Sequence, residues 1–89
     1  MRMDPHPYEV RELVARSFQE LGAEIHTLFD VDETILVSDG KYAARSYRVD
    51  GFMAMWLVEV GIVQFYDADG AMVRTVNLLQ HREAARLAA

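Results

Sequence analysis

Apolar residues recur at helical spacing near the start of the chain and at a period close to two after Gly22. Val10, Leu13, Val14, Phe18 and Leu21 fall on one stripe of a 3.6-residue period, which predicts an amphipathic helix over 7–21. Asp4 or His6 can cap its start, Pro5 or Pro7 suits its first turn, and Gly22 stands where a left-handed C-cap is expected. Glu12, Arg16 and Glu20 follow each other at intervals of four on the outer face, where opposite charges pair weakly.

Beyond Gly22 the pattern is cut by Asp39-Gly40, Asp50-Gly51, Val60-Gly61 and Asp67-Ala68-Asp69-Gly70. Asp-Gly between alternating runs marks a two-residue hairpin, because both central residues must take positive φ. Valine resists that conformation, so Val60-Gly61 is the weakest of these signals. The turns predict strands over 34–38, 41–49, 52–59, 62–66 and 71–78. A short helix over 79–87 follows, opened by Asn77 with Gln80. The fold class is therefore α+β. An N-terminal amphipathic helix packs on a four- to five-stranded antiparallel β-meander, with a short C-terminal helix, all in one domain spanning 1–89.

Two-residue turns fix the pairing. Ser38 then faces Lys41, Leu36 faces Ala43, Val49 faces Phe52, and Arg45 faces Trp56. One sheet face carries Leu36, Ala43, Arg45, Tyr47, Val49 and Phe52. It continues through Ala54, Trp56 and Val58, with Val63 and Phe65 if the third turn is also tight. The other face carries Ile35, Val37, Tyr42, Ala44, Ser46, Arg48, Met53, Met55 and Leu57, with Ile62, Gln64 and Tyr66. Phe52 to Val58 does not alternate at all and reads as a central strand sheltered on both sides. A helix about 10 Å wide covers roughly two strands, and the Ala- and Arg-rich tail is too polar to cover a second face. Tyr42, Arg48, Met53, Met55, Leu57 and Tyr66 are therefore the expected interaction surface, closed by self-association or by another protein.

Composition narrows the partners. With 52% hydrophobic residues the chain can build one core without staples, and the absence of cysteine excludes disulfides and thiolate chemistry. A formal net charge of −5 makes it a poor match for phosphate backbones and for anionic lipid. Neither a nucleic acid nor a membrane is an expected partner. The apolar run at 52–58 is far short of a membrane span and residues 1–7 show no secretion pattern, so a cytoplasmic location is expected.

Candidate chemistry is sparse. Leu28-Phe29-Asp30-Val31-Asp32-Glu33-Thr34 resembles the first motif of haloacid-dehalogenase-type phosphatases, an apolar strand end followed by Asp-x-Asp-x-Thr. The resemblance implies a parallel sheet with crossover helices, Asp30 as nucleophile, Asp32 as acid/base and Mg²⁺ nearby. It covers about seven residues, and the single lysine, Lys41, follows Thr34 too closely to supply the family's later motif. Asp67-Ala68-Asp69-Gly70 opens like a calcium loop but has Val76 where the bidentate glutamate belongs. His6, His26 and His81 share no ligand spacing. No catalytic residue, metal site or cofactor is therefore expected. The leading expectation is a non-catalytic protein-interaction or homodimerising module of a bacterial-type cytoplasmic protein. In layout and charge the chain resembles small acidic secretion chaperones. The alternatives are a small-ligand binder with a pocket between helix and sheet, lined by Phe18, Trp56 and Phe65, and a phosphatase-like enzyme using Asp30 and Asp32.

Overall fold

A computed structural model describes residues 6–27 and 30–80, with backbone alone at 38 and 41–43. Helix α1 runs Pro7–Glu20. His6 caps it, its Nδ1 accepting the Tyr8 N–H at 3.1 Å, and Pro7 takes a first-turn position that has no helical bond to lose. At the other end Ala23 N–H donates to Phe18 O at 2.9 Å and Gly22 N–H to Gln19 O at 3.1 Å, with Gly22 at φ 108°. This pair of bonds is a Schellman cap, and it turns the chain back toward the sheet.

Five antiparallel strands follow: β1 (Asp32–Ser38), β2 (Lys41–Val49), β3 (Phe52–Leu57), β4 (Ile62–Tyr66) and β5 (Met72–Asn77), paired in the order β1-β2-β3-β4-β5. The α+β meander is the fold the periodicity predicts. A helix starts at 78, where Asn77 Oδ1 accepts the Gln80 N–H at 3.1 Å. The remainder of the expected 79–87 helix lies outside the described residues.

Both Asp-Gly turns are two-residue turns with positive φ at each position: Asp39 and Gly40 at 53° and 72°, Asp50 and Gly51 at 52° and 84°. The connection at Val60-Gly61 differs. Leu57 pairs with Ile62, and Gly61 N–H returns to Leu57 O at 2.9 Å, so β3 ends at Leu57 and 58–61 form the turn. Only Gly61 takes positive φ here, 68°, which spares Val60 a conformation its branched side chain resists. The register is displaced from the tight-turn expectation by two residues, which preserves the faces. Val63 and Phe65 therefore still lie beside Trp56 and Ala54.

A bulge corrects the expected Leu36–Ala43 pair. Leu36 pairs with Ala44 and Val37 with Tyr42, leaving Ala43 as the extra residue on β2. The preceding part of β1 is thereby reversed: Ile35 lies opposite Arg45 on the helix side, and Leu36 lies opposite Ala44 on the far side. A second bulge falls on β5, where Val73 is the extra residue between Arg74, paired with Phe65, and Met72, paired with Tyr66.

The core lies between α1 and one sheet face. Val10, Val14 and Phe18 from the helix meet Tyr47, Ala54, Trp56, Val63 and Phe65, all buried. Phe18 sets its edge against the Phe65 ring at 5.6 Å and tilts against Phe52 at 6.2 Å. Ala54 stands between Tyr47 and Phe65 in the pairing, and its small side chain leaves room for the larger ones. Ion pairs tie α1 to both outer strands: Arg11 to Glu33 of β1, and Glu20 to Arg74 of β5.

Candidate functional site

The face away from α1 consists of three cross-strand rows. The first runs Asp32, Arg48, Met53, Tyr66, Met72; the second Thr34, Ser46, Met55, Gln64, Thr75; the third Leu36, Ala44, Leu57, Ile62, Asn77. Arg48, Met53, Met55, Leu57 and Tyr66, all expected on one face, share it. The side chain of Tyr42 lies outside the described residues. The middle row departs from expectation. Thr34, Ser46, Gln64 and Thr75 make it largely polar, and the Tyr66 hydroxyl donates to Gln64 Oε1 at 3.0 Å. The face thus carries apolar residues at Met53, Tyr66 and Met72 and again at Leu36, Leu57 and Ile62, separated by a largely polar row. Met53, Met55, Leu57, Ile62 and Tyr66 are half-buried, and Met72 is exposed. At the β1 border, Ile35, Leu36 and Val37 are 49%, 39% and 63% exposed.

One end of this face opens into a depression of about 690 Å³ that includes Asp30, Asp32, Arg48, Asp50, Tyr66 and Asp67 in its wall. Three of these carboxylates are engaged by backbone, Asp50 Oδ2 accepting the Glu24 N–H at 3.1 Å. Asp30 Oδ2 accepts the N–H groups of His26 at 2.7 Å and Thr27 at 3.0 Å, which hold its pKa below the ordinary value of 3.8. Asp67 Oδ1 accepts the N–H groups of Asp69 and Ala71, forming the hairpin turn between β4 and β5. Asp32 opens β1 opposite Arg48. Asp30 and Asp32 do meet in one depression, but the sheet is antiparallel throughout, not the parallel sheet with crossover helices that the phosphatase resemblance implies. Among the described residues no cluster of three or more His, Asp or Glu side chains could hold a metal ion.

The space between helix and sheet is filled. Phe18, Trp56 and Phe65 are at most 1% exposed, and they line neither the depression beside Asp30 and Asp32 nor the one along Tyr8, Glu12 and Arg16. Within this region lies a charged node that sequence reasoning missed. Glu33 accepts from Arg11 at 3.1 Å through one oxygen and from Arg45 at 2.9 Å through the other, while Arg11 also donates to Val31 O at 2.7 Å. The signal was present: Arg45 on an apolar face needs a counter-charge, and Glu33 is one row away on the adjacent strand once the bulge is counted.

Tyr47, fully buried beside this node, has its hydroxyl pKa raised well above the ordinary 10.0, first by burial and then by the negative charge of Glu33. The folded state therefore keeps this proton at a pH where the unfolded chain releases it. The associated stability is complete below pH 10 and is lost as pH rises above it, at about 1.4 kcal/mol per unit. Urea titrations between pH 9.5 and 11.5 should show this loss in the native chain and not in Tyr47→Phe. Parallel pH profiles for the two chains would refute it.

No known protein family, curated protein or solved structure matches this chain. Among the described residues no helix is long and apolar enough to cross a membrane.

Proposed function

We propose that this chain is a non-catalytic self-associating module that joins a second copy through part of its exposed β-surface. That surface comprises the face away from α1 and the β1 border. The supporting observation is its position: α1 packs on the opposite face, while Met53, Met55, Leu57, Ile62 and Leu36 remain accessible to solvent. Apolar area gathered on one side of a small domain marks a contact surface. The filled helix–sheet interior favours this reading over a ligand pocket, and the engagement of Asp30 by backbone amides favours it over catalysis.

Light scattering on the 89-residue chain tests it. A particle of about twice 10.2 kDa at tens of micromolar is expected, with a thermal midpoint that rises with protein concentration. A 10.2 kDa particle with a concentration-independent midpoint would refute it.

A further inference from the structure

The two outer strands of the sheet are not equivalent. On β5 the bulge at Val73 lies in the outer strand itself and interrupts its regular rim. Bulges of this kind discourage pairing with another chain. On β1 the corresponding irregularity is carried by the inner neighbour β2 as the extra residue Ala43, so it adds no residue to the outer strand. Ile35, Leu36 and Val37 stand exposed there in succession, without the lysine or proline that usually blunts an outer strand. Of the two acidic residues of this strand, Glu33 is turned under α1 and neutralised by Arg11 and Arg45, and Asp32 stands at its opening, three residues from Ile35 and opposite Arg48.

We infer that the second copy joins at β1, antiparallel strand to strand, with Ile35 on the two-fold axis. This rests on the self-association proposed above and assigns where it occurs. The strand Asp32–Ser38 has seven residues, so an antiparallel copy can pair with it about the central Ile35. In that register Ile35 meets Ile35, Thr34 meets Leu36, Glu33 meets Val37, and Asp32 meets Ser38. No carboxylate faces another. A two-fold perpendicular to the strands closes the assembly and places both copies of α1 on the same side. The result is a continuous sheet of twice five strands, with Leu36 of each copy adding to a single broad far face.

Full-length variants, each first shown to be folded by circular dichroism, test the assignment. Ile35→Lys sets two ammonium groups against each other on the axis, beside Arg45, and should weaken dimerisation at least tenfold, whereas Met55→Glu, on the far face, should leave it within about twofold. The chain has no cysteine, so Ile35→Cys introduces a single thiol. Across a symmetric antiparallel pair the two Cα atoms lie about 4.5–5.5 Å apart, within disulfide range. Ile35→Cys should therefore cross-link under mild oxidation, while Val37→Cys, about 13 Å from its counterpart, should not. A monomeric native chain overturns both this assignment and the self-association. A dimer that Met55→Glu disrupts and Ile35→Lys spares overturns the β1 assignment alone. So does a dimer in which Ile35→Cys cross-links no faster than Val37→Cys.

Discussion

Phe18→Ala is expected to cost about 3–5 kcal/mol, the usual range for deleting a fully buried aromatic ring. Phe18 has no exposed surface and carries the contact between α1 and the sheet through Phe65 and Phe52. A domain of this length has a total stability of roughly 4–13 kcal/mol, so the loss is a large share of it. With a urea slope of about 1–1.5 kcal/mol per molar, the midpoint should fall by roughly 2–5 M. Trp56, the single tryptophan, is fully buried and reports the transition by its fluorescence. Phe18→Leu should recover more than half of the loss, since it refills most of the volume. A midpoint lowered by less than about 0.5 M in Phe18→Ala would mean that the helix does not depend on this ring for docking.

Glu33→Ala is expected to cost about 2–3 kcal/mol by a different route. It leaves the guanidinium groups of Arg11 and Arg45, otherwise held to one carboxylate at 3.1 and 2.9 Å, without that shared partner. Removing the anion of a partly buried charged group is costly because the two remaining cations lose the counter-charge that offsets their withdrawal from water. Side-chain exposures of 16–21% place this node at the lower end of that range. The pair at the opposite end of α1 supplies the contrast. Glu20 and Arg74 have side chains 55% and 33% exposed, so Glu20→Ala should cost less than about 1 kcal/mol. Urea titrations at pH 7 in moderate salt compare the two directly. Equal losses for Glu33→Ala and Glu20→Ala would refute the special weight given to the inner node.

The elements that local chemistry dictates were legible in the sequence. The α1 stripe, the two Asp-Gly turns and the pairing of Arg45 with Trp56 all follow from spacing and from the positive φ that glycine permits. Features set between strands were not. The extra residue Ala43 alters the pairing of β1 without leaving any mark in composition, and it decides which of Ile35 and Leu36 lies on the helix side of the sheet. The 58–61 turn cost the reading less, because a displacement by two residues returns each side chain to its own side. At the candidate surface, the apolar content of β3 was plain, but its polar neighbours Ser46, Gln64 and Thr75 line up beside Met55 only when all three pairings are known. The Glu33 node required both the bulge and the placement of α1, neither of which a period of two can express.

The next-neighbour order of the strands also shapes how the chain finds its native state. Each hairpin joins segments already close in sequence, so successive ladders can zip without gathering distant parts of the polypeptide. The long closure belongs to the helix, whose Glu20 meets Arg74 across 54 residues. The meander can thus assemble rapidly as a platform, and arrival of the helix becomes the late event that completes the hydrophobic interior. Until that moment both sides of the sheet face water, and the Ile35–Val37 rim is then at its most vulnerable to misassembly with other nascent chains.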